Sequence, residues 1–216
     1  MDEIIASKPS SYFNDLLNYC PELDLLYQRD NQIIEYDKDY FEKYVGYKAT
    51  DIANKINLAR CTLTERYCQK SIIDVGIGSG EFIERSKLKV YGYDINPYAI
   101  RWLRERNLYL DFYNSKIPED VEGWSLWDTL EHIPKPSVLL NLVPTNKYVF
   151  LSIPIFDTFK NIEQHKHYKE REHLYYFSHT GLIKYFAEAK FVLIETNTKE
   201  TEAGRYSIGS YAFRKN

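Results

Sequence analysis

The sequence predicts an α/β domain built on a mostly parallel sheet. From about residue 71 onward, short apolar runs alternate with segments of helical periodicity, a pattern typical of parallel strands joined by crossover helices. The last two apolar runs are separated only by the polar stretch NTKETEAG, which predicts an antiparallel hairpin. With 216 residues, of which 44% are hydrophobic and 27% charged, the chain is long enough for one domain with a full core.

Seven strands and four helices follow from this pattern, because each predicted strand is short, apolar and bounded by polar residues. The strands are SIIDV (71–75), KVYGYD (89–94), NLYLDF (107–112), GWSLWD (123–128), YVFLSI (148–153), FVLIET (191–196) and YSIGSYAF (206–213). The helices are EFIERSKL, PYAIRWLRERN, KPSVLLNLV (135–143) and SHTGLIKYFAEAK (178–190). Pro97 opens the second helix, where its missing N–H costs nothing.

Residues 1–66 have a different texture, with mixed charges, many tyrosines and no recognisable strand. Apolar spacing around Ile52, Ile56 and Leu63 suggests helices. We interpret this segment as an N-terminal helical cap or lid, packed against the ligand-binding edge of a domain at residues 67–216. An extension with a purely structural role is the alternative.

Composition limits the partners and the cellular location that the sequence predicts. The net charge of −3 gives no global field for nucleic acid, although a local basic patch remains possible. No apolar run approaches the roughly 20 residues of a membrane span, and the first residues lack a signal-peptide pattern. Cys20, Cys61 and Cys68 form no CxxC pair, which argues against a disulfide framework or a zinc site. We therefore expect a cytoplasmic protein of unknown oligomeric state.

A glycine-rich loop, SIIDVGIGSGEFIE (71–84), joins the first predicted strand to a helix. Such a loop presents bare backbone N–H groups to a ligand. Dinucleotide sites use G-x-G-x-x-G, but here Gly76, Gly78 and Gly80 are followed by Glu81 where the third dinucleotide glycine would stand. A bulky acid there would crowd the helix and repel a pyrophosphate, so a dinucleotide is disfavoured.

A nucleoside that carries an amino acid fits the same region better. Asp74 precedes the glycines and can accept from an ammonium group, while the loop seats the amino-acid portion. Asp94, at the end of the second strand, is placed to accept both ribose hydroxyls. This combination suits S-adenosyl-L-methionine as the cofactor.

At this point the sequence resembles the class I S-adenosylmethionine-dependent methyltransferases. IIDVGIGSG matches their first motif and VYGYDINPYAI their second. WDTLEHIPKP matches the stretch after the fourth strand in the branch of ubiquinone-type and other small-molecule methyltransferases. YVFLSIPIF and HLYYFSHTGLIKYFAEAKFVLIE resemble that branch's later elements, so the resemblance covers roughly residues 70–213.

The resemblance implies a Rossmann-like, seven-stranded sheet of order 3-2-1-4-5-7-6 with strand 7 antiparallel. It also implies that Asp94 binds ribose and that Ile95 lies against the adenine. Asp111 would be the acid that holds the adenine amine, although LYLDFYNS is a loose match to the family's third strand. PTNKY replaces the glycine that usually precedes the fifth strand, which should change only a turn.

The fourth strand ends beside the expected methyl group and supplies two candidates. His132 is a candidate general base or acceptor-orienting residue, because histidine titrates near neutral pH. A structural histidine bonded to backbone or to Glu131 is the alternative. Asp128 is expected to contact the cofactor's amino-acid portion, or else simply to cap the next turn.

The stretch HKHYKEREH is predicted to be a loop after the fifth strand. Within it His167 is a second catalytic candidate, and His165 and Arg171 are candidates to bind an anionic or polar acceptor. A solvated surface loop is the alternative. No acid or cysteine in the stretch completes a convincing ligand set with His165, His167 and His173, so the sequence predicts no metal.

An aromatic stripe precedes the glycine loop. Its members lie three to four residues apart and would share one face of a helix: Tyr36, Tyr40, Phe41, Tyr44 and Tyr47. Such a stripe is either core or a lid that excludes water from a transferase site. In the second case Tyr40 and Tyr44 would bind the substrate.

The expected activity is methyl transfer to an O or N acceptor, most simply on a small molecule. WDTL stands where amino-methyltransferases of DNA bases have an Asn or Asp followed by Pro-Pro and an aromatic residue. No cysteine lies beside a proline as in cytosine-C5 enzymes. A nucleic-acid-modifying enzyme of another kind and a non-catalytic module that binds S-adenosylmethionine remain alternatives.

Overall fold

The computed structural model describes residues 1–29, 37–48 and 50–216, without the side chains of Tyr40 and Tyr44. Ten strands lie in these ranges: Ser11–Tyr12 (β1), Leu17–Cys20 (β2), Leu25–Gln28 (β3), Ser71–Val75 (β4), Lys89–Tyr93 (β5), Val121–Trp127 (β6), Tyr148–Pro154 (β7), Tyr175–Phe177 (β8), Phe191–Asn197 (β9) and Ile208–Lys215 (β10). The helices are Glu3–Ala6 (α1), Lys38–Gly46 (α2), Asp51–Tyr67 (α3), Glu81–Arg85 (α4), Pro97–Glu105 (α5), Pro136–Leu142 (α6), His179–Glu188 (α7) and Lys199–Glu202 (α8).

The larger sheet has the order β5-β4-β6-β7-β10-β9. Its first four strands are parallel, and β10 runs antiparallel to both β7 and β9. The mostly parallel α/β sheet and the terminal hairpin are therefore confirmed, as are the four predicted helices, now α4 to α7. Parallel strands buried on both faces explain why β4 reads as an almost continuous apolar run.

The predicted third strand, residues 107–112, is not formed as a strand. It contributes one isolated bridge, between Gly92 and Tyr109, so the sheet has six strands rather than seven. The chain departs from extended geometry on both sides of the bridge. Asn107 has a φ of 55°, and the Asp111 carboxylate accepts from the Tyr113 amide at 3.2 Å to close a turn.

The prediction that residues 1–66 contain no strand is wrong. β1, β2 and β3 form an antiparallel meander whose last strand pairs with β8, with Leu25 opposite Phe177. The β2–β3 hairpin turns at residues 21–24, where Asp24 has a φ of 46°. Helices do occupy the rest of the described segment: α3 begins at the Thr50 cap, whose Oγ1 accepts from the Ala53 amide.

The core lies on both faces of the larger sheet. Trp124, Leu126 and Leu151 are fully buried on one side, where α6 and α7 pack. Phe82, Leu103 and Phe150 are buried on the other side with parts of α3. In the described ranges no helix has both the length and the apolar composition that a bilayer crossing requires.

Helix α7 packs directly onto the β2–β3 turn, and this contact yields a test of the fold. A Cβ on Gly181 would overlap the backbone carbonyl oxygens of Leu23 and Asp24. We expect Gly181→Ala to lower the free energy of unfolding by about 1–3 kcal/mol, because overpacking against backbone cannot relax cheaply. Urea unfolding followed by circular dichroism measures this change.

Gly46→Ala is the matched control, because a Cβ at Gly46 meets nothing within 4 Å. Alanine is also preferred to glycine in a helix by about 0.5–1 kcal/mol. Equal stability of the two variants would contradict the packing of α7 on the hairpin.

Candidate functional site

A cavity of about 470 Å³ opens at the carboxyl ends of β4, β5 and β6. In an α/β sheet this edge is the usual ligand-binding edge, because the strand-to-helix loops converge there. Residues of α2 and α3 close the opposite side, among them Phe41, Ala53 and Ile56. The cavity therefore lies between the sheet and the N-terminal helices.

The glycine loop forms the floor of the cavity. Gly76 and Gly78 line it, with φ of 74° and 53°, a backbone region that side chains disfavour. A Cβ on Gly76 would lie 2.6 Å from Thr129 Oγ1, so the loop and the end of β6 approach as closely as glycine allows. Gly80 does not line the cavity, since its Cα faces the Trp102 ring, 2.6 Å from an added Cβ.

Asp94 lies at the cavity wall just after β5. Its Oδ2 accepts from the Ile77 amide at 2.9 Å and its Oδ1 from the Asn96 amide at 2.8 Å. Burial raises the pKa of this carboxyl group despite these bonds. Each oxygen keeps a further lone pair, so the carboxylate can still accept two ligand hydroxyls.

An apolar and aromatic wall adjoins Asp94. Ile95 lines the cavity with its residue largely exposed, and Tyr93 and Tyr113 line it as well. These two rings stand edge to face, with centroids 5.4 Å apart. Asp111 does not line the cavity but accepts from Tyr113 and Asn114, and so holds the turn that carries the Tyr113 ring.

Asp74 lies deeper, at the end of β4, and is 1% exposed. It lines the cavity and accepts from Ser125 Oγ at 2.7 Å. Burial raises the pKa of Asp74 to about 7, because water no longer stabilises its charged form and one hydroxyl does not replace it.

Asp128 is held by two arginines that the sequence analysis does not identify. Arg205 donates to both carboxylate oxygens, each at 2.8 Å, and Arg60 of α3 donates to Oδ2 at 2.9 Å. Both arginines also bond Glu200, which is fully buried. Burial alone would raise the pKa of Asp128, but Arg205 and Arg60 outweigh it and hold that pKa well below its usual range.

This group of four side chains, Arg60, Arg205, Asp128 and Glu200, is called the ion network below. Three of its members, Arg60, Asp128 and Arg205, line the cavity. The network joins α3, the end of β6 and α8, and so holds α3 against the sheet.

His132 also lines the cavity, and the chain folds His173 onto it. The two rings stand edge to face, with centroids 4.7 Å apart. His132 Nδ1 donates to the Glu172 carbonyl at 2.9 Å, and the Leu174 amide donates to the Glu131 carbonyl at 2.7 Å. Two hydrogen bonds, one to the His132 ring and one to the Glu131 carbonyl, therefore attach residues 172–174 to the turn at Leu130–His132.

Glu131 is 1% exposed, and neither carboxylate oxygen has a hydrogen-bond partner among the residues described. Burial raises the pKa of Glu131 well above its usual range, with Asp128 adding to the effect. Burial also lowers the pKa of His132, and it lowers that of His173 to about 3. Both imidazoles are therefore neutral near pH 7.

The other predicted site residues lie elsewhere. His167 Nε2 donates to the Tyr206 carbonyl at 2.7 Å, His165 packs its ring against Phe156, and Arg171 is exposed with a φ of 62°. None of these three lines the cavity. In the aromatic stripe Phe41 and Tyr47 line the cavity; Tyr36 and the side chains of Tyr40 and Tyr44 lie outside the description.

Comparisons with known proteins agree with this architecture. The chain matches no family model, and no curated protein matches it in sequence. Among solved structures it is similar to magnesium protoporphyrin IX methyltransferase from Synechocystis with bound S-adenosylhomocysteine (TM-score 0.56, 13% identity, 82% of this chain and 94% of that one). It is also similar to 1,6-didemethyltoxoflavin-N1-methyltransferase from Burkholderia thailandensis, with 1,6-didemethyltoxoflavin and S-adenosylhomocysteine bound (TM-score 0.54, 12% identity, 96% and 99%).

A third similar structure is the [4+2]-cyclase SpnF (TM-score 0.52, 11% identity, 74% of this chain and 80% of that one). The resemblance that the sequence motifs predict is thus confirmed at the level of the fold, which the chain shares with these two methyltransferases. Because a cyclase has a similar fold, the fold alone does not determine the activity, which has to be inferred from the site.

The buried Asp74 carboxyl group predicts a pH-dependent stability. Its folded pKa of about 7 lies above the roughly 3.9 of an unfolded aspartate. The folded state therefore holds a proton that the unfolded state has lost, and this group's contribution to stability falls as pH rises from about 4 to 7.

Asp74→Asn removes this titration. The free energy of unfolding of the variant relative to wild type should rise between pH 4 and 7, by on the order of 4 kcal/mol, and then level off. Urea unfolding of both proteins at several pH values measures the difference in the free energy of unfolding. The contributions of the other carboxyl groups cancel in this difference, because both proteins contain them. A difference that does not change with pH would contradict a protonated Asp74.

Proposed function

We propose that the chain is an S-adenosylmethionine-dependent methyltransferase that modifies an oxygen or nitrogen of a small molecule. One observation carries the proposal: the glycine loop and the Asp94 carboxylate are joined by the Ile77 amide within one cavity, beside an aromatic wall. A nucleoside with an amino-acid tail matches all three features. Its ribose hydroxyls suit the acid, its base suits the flat apolar wall, and its amino-acid portion suits the exposed backbone of the glycine loop.

Each part of the cofactor has a candidate seat. Asp94 accepts the ribose hydroxyls, and Ile95 lies against the adenine with Tyr93 and Tyr113 close by. The amino-acid portion lies over Gly76 and Gly78, with Asp74 toward its ammonium group. Ionised Asp74 would find its countercharge in that ammonium group, which offsets the cost of burial. When bound, the cofactor supplies an electrophilic methyl group on a positively charged sulfur.

His132 and the ion network form the polar end of the cavity, and we assign the acceptor to it. Because Asp128 is already paired with Arg60 and Arg205, it shapes this end rather than offering a free carboxylate. His132 is the catalytic candidate that lines the cavity, whereas His167 does not. The α3 helix lines this end of the cavity through Asn57 and Arg60, and displacement of water by this helix would strengthen the remaining electrostatic interactions.

The cavity favours a small acceptor over a polymer. Its volume of about 470 Å³ falls within the range of about 300–1,000 Å³ typical of small-molecule sites, and the cofactor takes up part of it, so the space left for the acceptor is small. The sequence has a net charge of −3, and Arg60 and Arg205 are neutralised by Asp128 and Glu200. Nucleic-acid modification and cofactor binding without catalysis stand as the alternatives.

Asp94→Ala tests the cofactor assignment. Removing a carboxylate that accepts ligand hydroxyls should cost about 1.5–3 kcal/mol, or roughly 10- to 100-fold in affinity. Calorimetry with S-adenosylhomocysteine measures the dissociation constant, and Asp120→Ala at an exposed position is the control of equal charge change. Undiminished binding by Asp94→Ala, or no binding by wild type, would overturn the assignment.

His132→Ala tests the catalytic assignment. Mass spectrometry of metabolite extracts incubated with wild type and methyl-labelled S-adenosylmethionine identifies the labelled acceptor. With that acceptor, His132→Ala should lower the turnover number by about 100-fold or more, while the affinity for S-adenosylhomocysteine changes little. Equal turnover removes His132 from the mechanism. Cofactor binding by wild type without any labelled product favours the non-catalytic alternative.

A further inference from the structure

Glu131 lies next to His132 of the cavity wall and is the described side chain with the most unpartnered buried polar atoms. Its carboxyl group is almost completely buried, and both oxygens lack hydrogen-bond partners among the described residues. A buried carboxyl group normally pairs with donors, with a cation or with a metal ion, because the polar atoms otherwise lose their water without replacement. The unpartnered carboxyl group of Glu131 therefore points to a ligand, and a metal ion would bind it in its deprotonated form.

Two imidazoles stand next to this carboxylate. Glu131, His132 and His173 each offer one ligand atom, and these atoms all lie within 4.8 Å of one another. Ligands held at about 2.0–2.1 Å around a tetrahedral metal lie about 3.3 Å apart. Binding of one ion by all three therefore requires pairs of donors to approach one another by up to about 1.5 Å.

The surroundings of His132 match those of a metal ligand. His132 Nδ1 donates to the Glu172 carbonyl, which leaves the lone pair of Nε2 available. Metal-bound histidines almost always donate their other ring nitrogen in this way, which fixes tautomer and orientation. His173 is held through its backbone, since the buried Gln28 side chain donates to its carbonyl at 2.8 Å.

Asp128 is near but does not complete the set. Its two oxygens already accept three bonds from Arg60 and Arg205. The candidate ligands are therefore one carboxylate and two imidazoles, which suit divalent transition metals such as Zn²⁺, Co²⁺ and Mn²⁺ better than Mg²⁺ or Ca²⁺.

We propose that Glu131, His132 and His173 bind one divalent transition-metal ion at the wall of the cavity. This departs from the sequence-based expectation of no metal, which considered only the histidines of HKHYKEREH and not Glu131. Three protein ligands leave at least one coordination position open. Because His132 lines the cavity, an acceptor oxygen can occupy that position. This last step rests on the proposed methyltransferase function and favours a hydroxyl acceptor; the metal site itself does not depend on it.

The test is metal binding by the full chain, without any activity measurement. Protein stripped with a chelator and dialysed is titrated with Co²⁺, followed by its visible absorption, and with Zn²⁺ and Mn²⁺ by calorimetry. Wild type should bind one ion per chain, and an equal concentration of Mg²⁺ should not compete.

Glu131→Gln and His173→Gln should each weaken binding at least about tenfold, because each removes one of three ligands. His179→Gln is the control, since this histidine bonds Tyr211 Oη and belongs to no cluster of possible metal ligands in the described chain. Circular dichroism verifies the fold of each variant, and the wild-type titration alone decides the proposal if a variant fails to fold.

Absence of a saturable Co²⁺ signal in wild type would overturn the proposal, as would equal binding by wild type and Glu131→Gln. Titration of the same stripped preparation with S-adenosylhomocysteine separates the two assignments. Cofactor binding without metal binding removes only the metal site, and metal binding without cofactor binding removes only the proposed function.

Discussion

The pairing of Asp128 with Arg60 and Arg205 is the interaction on which the rest of the site depends. It connects the end of β6 to α3 and, through the buried Glu200, to α8. The network runs from the partly exposed Asp128 and Arg205 to the fully buried Glu200, and the buried end is stabilised only when its arginine partners are in place, since a lone buried charge is costly. The cavity is therefore formed jointly by the sheet and by α3, which the network holds together.

A second set of contacts organises the other side of the cavity. The small sheet of β1, β2, β3 and β8 delivers residues 172–174 to the turn at Leu130–His132. Gln28 of β3 accounts for part of this, because its side chain holds the His173 carbonyl. The N-terminal strands therefore contribute to the site indirectly, because they hold His173 beside Glu131 and His132.

Local pattern was enough to predict the parallel sheet and the final hairpin, because the apolar runs and the turns between them are visible in nearby sequence. It failed where partners are distant in the chain. β3 is only four residues long and pairs with β8 near residue 176, and Glu131 meets His173 only after folding. Arg60 and Arg205 look like ordinary surface charges in the sequence. Residues 107–112 have strand composition, yet the turns around them limit pairing to one bridge.

The central claim is that the cavity beside the glycine loop is a seat for an S-adenosyl nucleoside. A crystal structure of the complex with S-adenosylhomocysteine tests it most directly. The account predicts both ribose hydroxyls on the Asp94 carboxylate, the adenine against Ile95 and the amino-acid portion over Gly76 and Gly78. A ligand bound at another place, or one whose ribose makes no contact with Asp94, would contradict it.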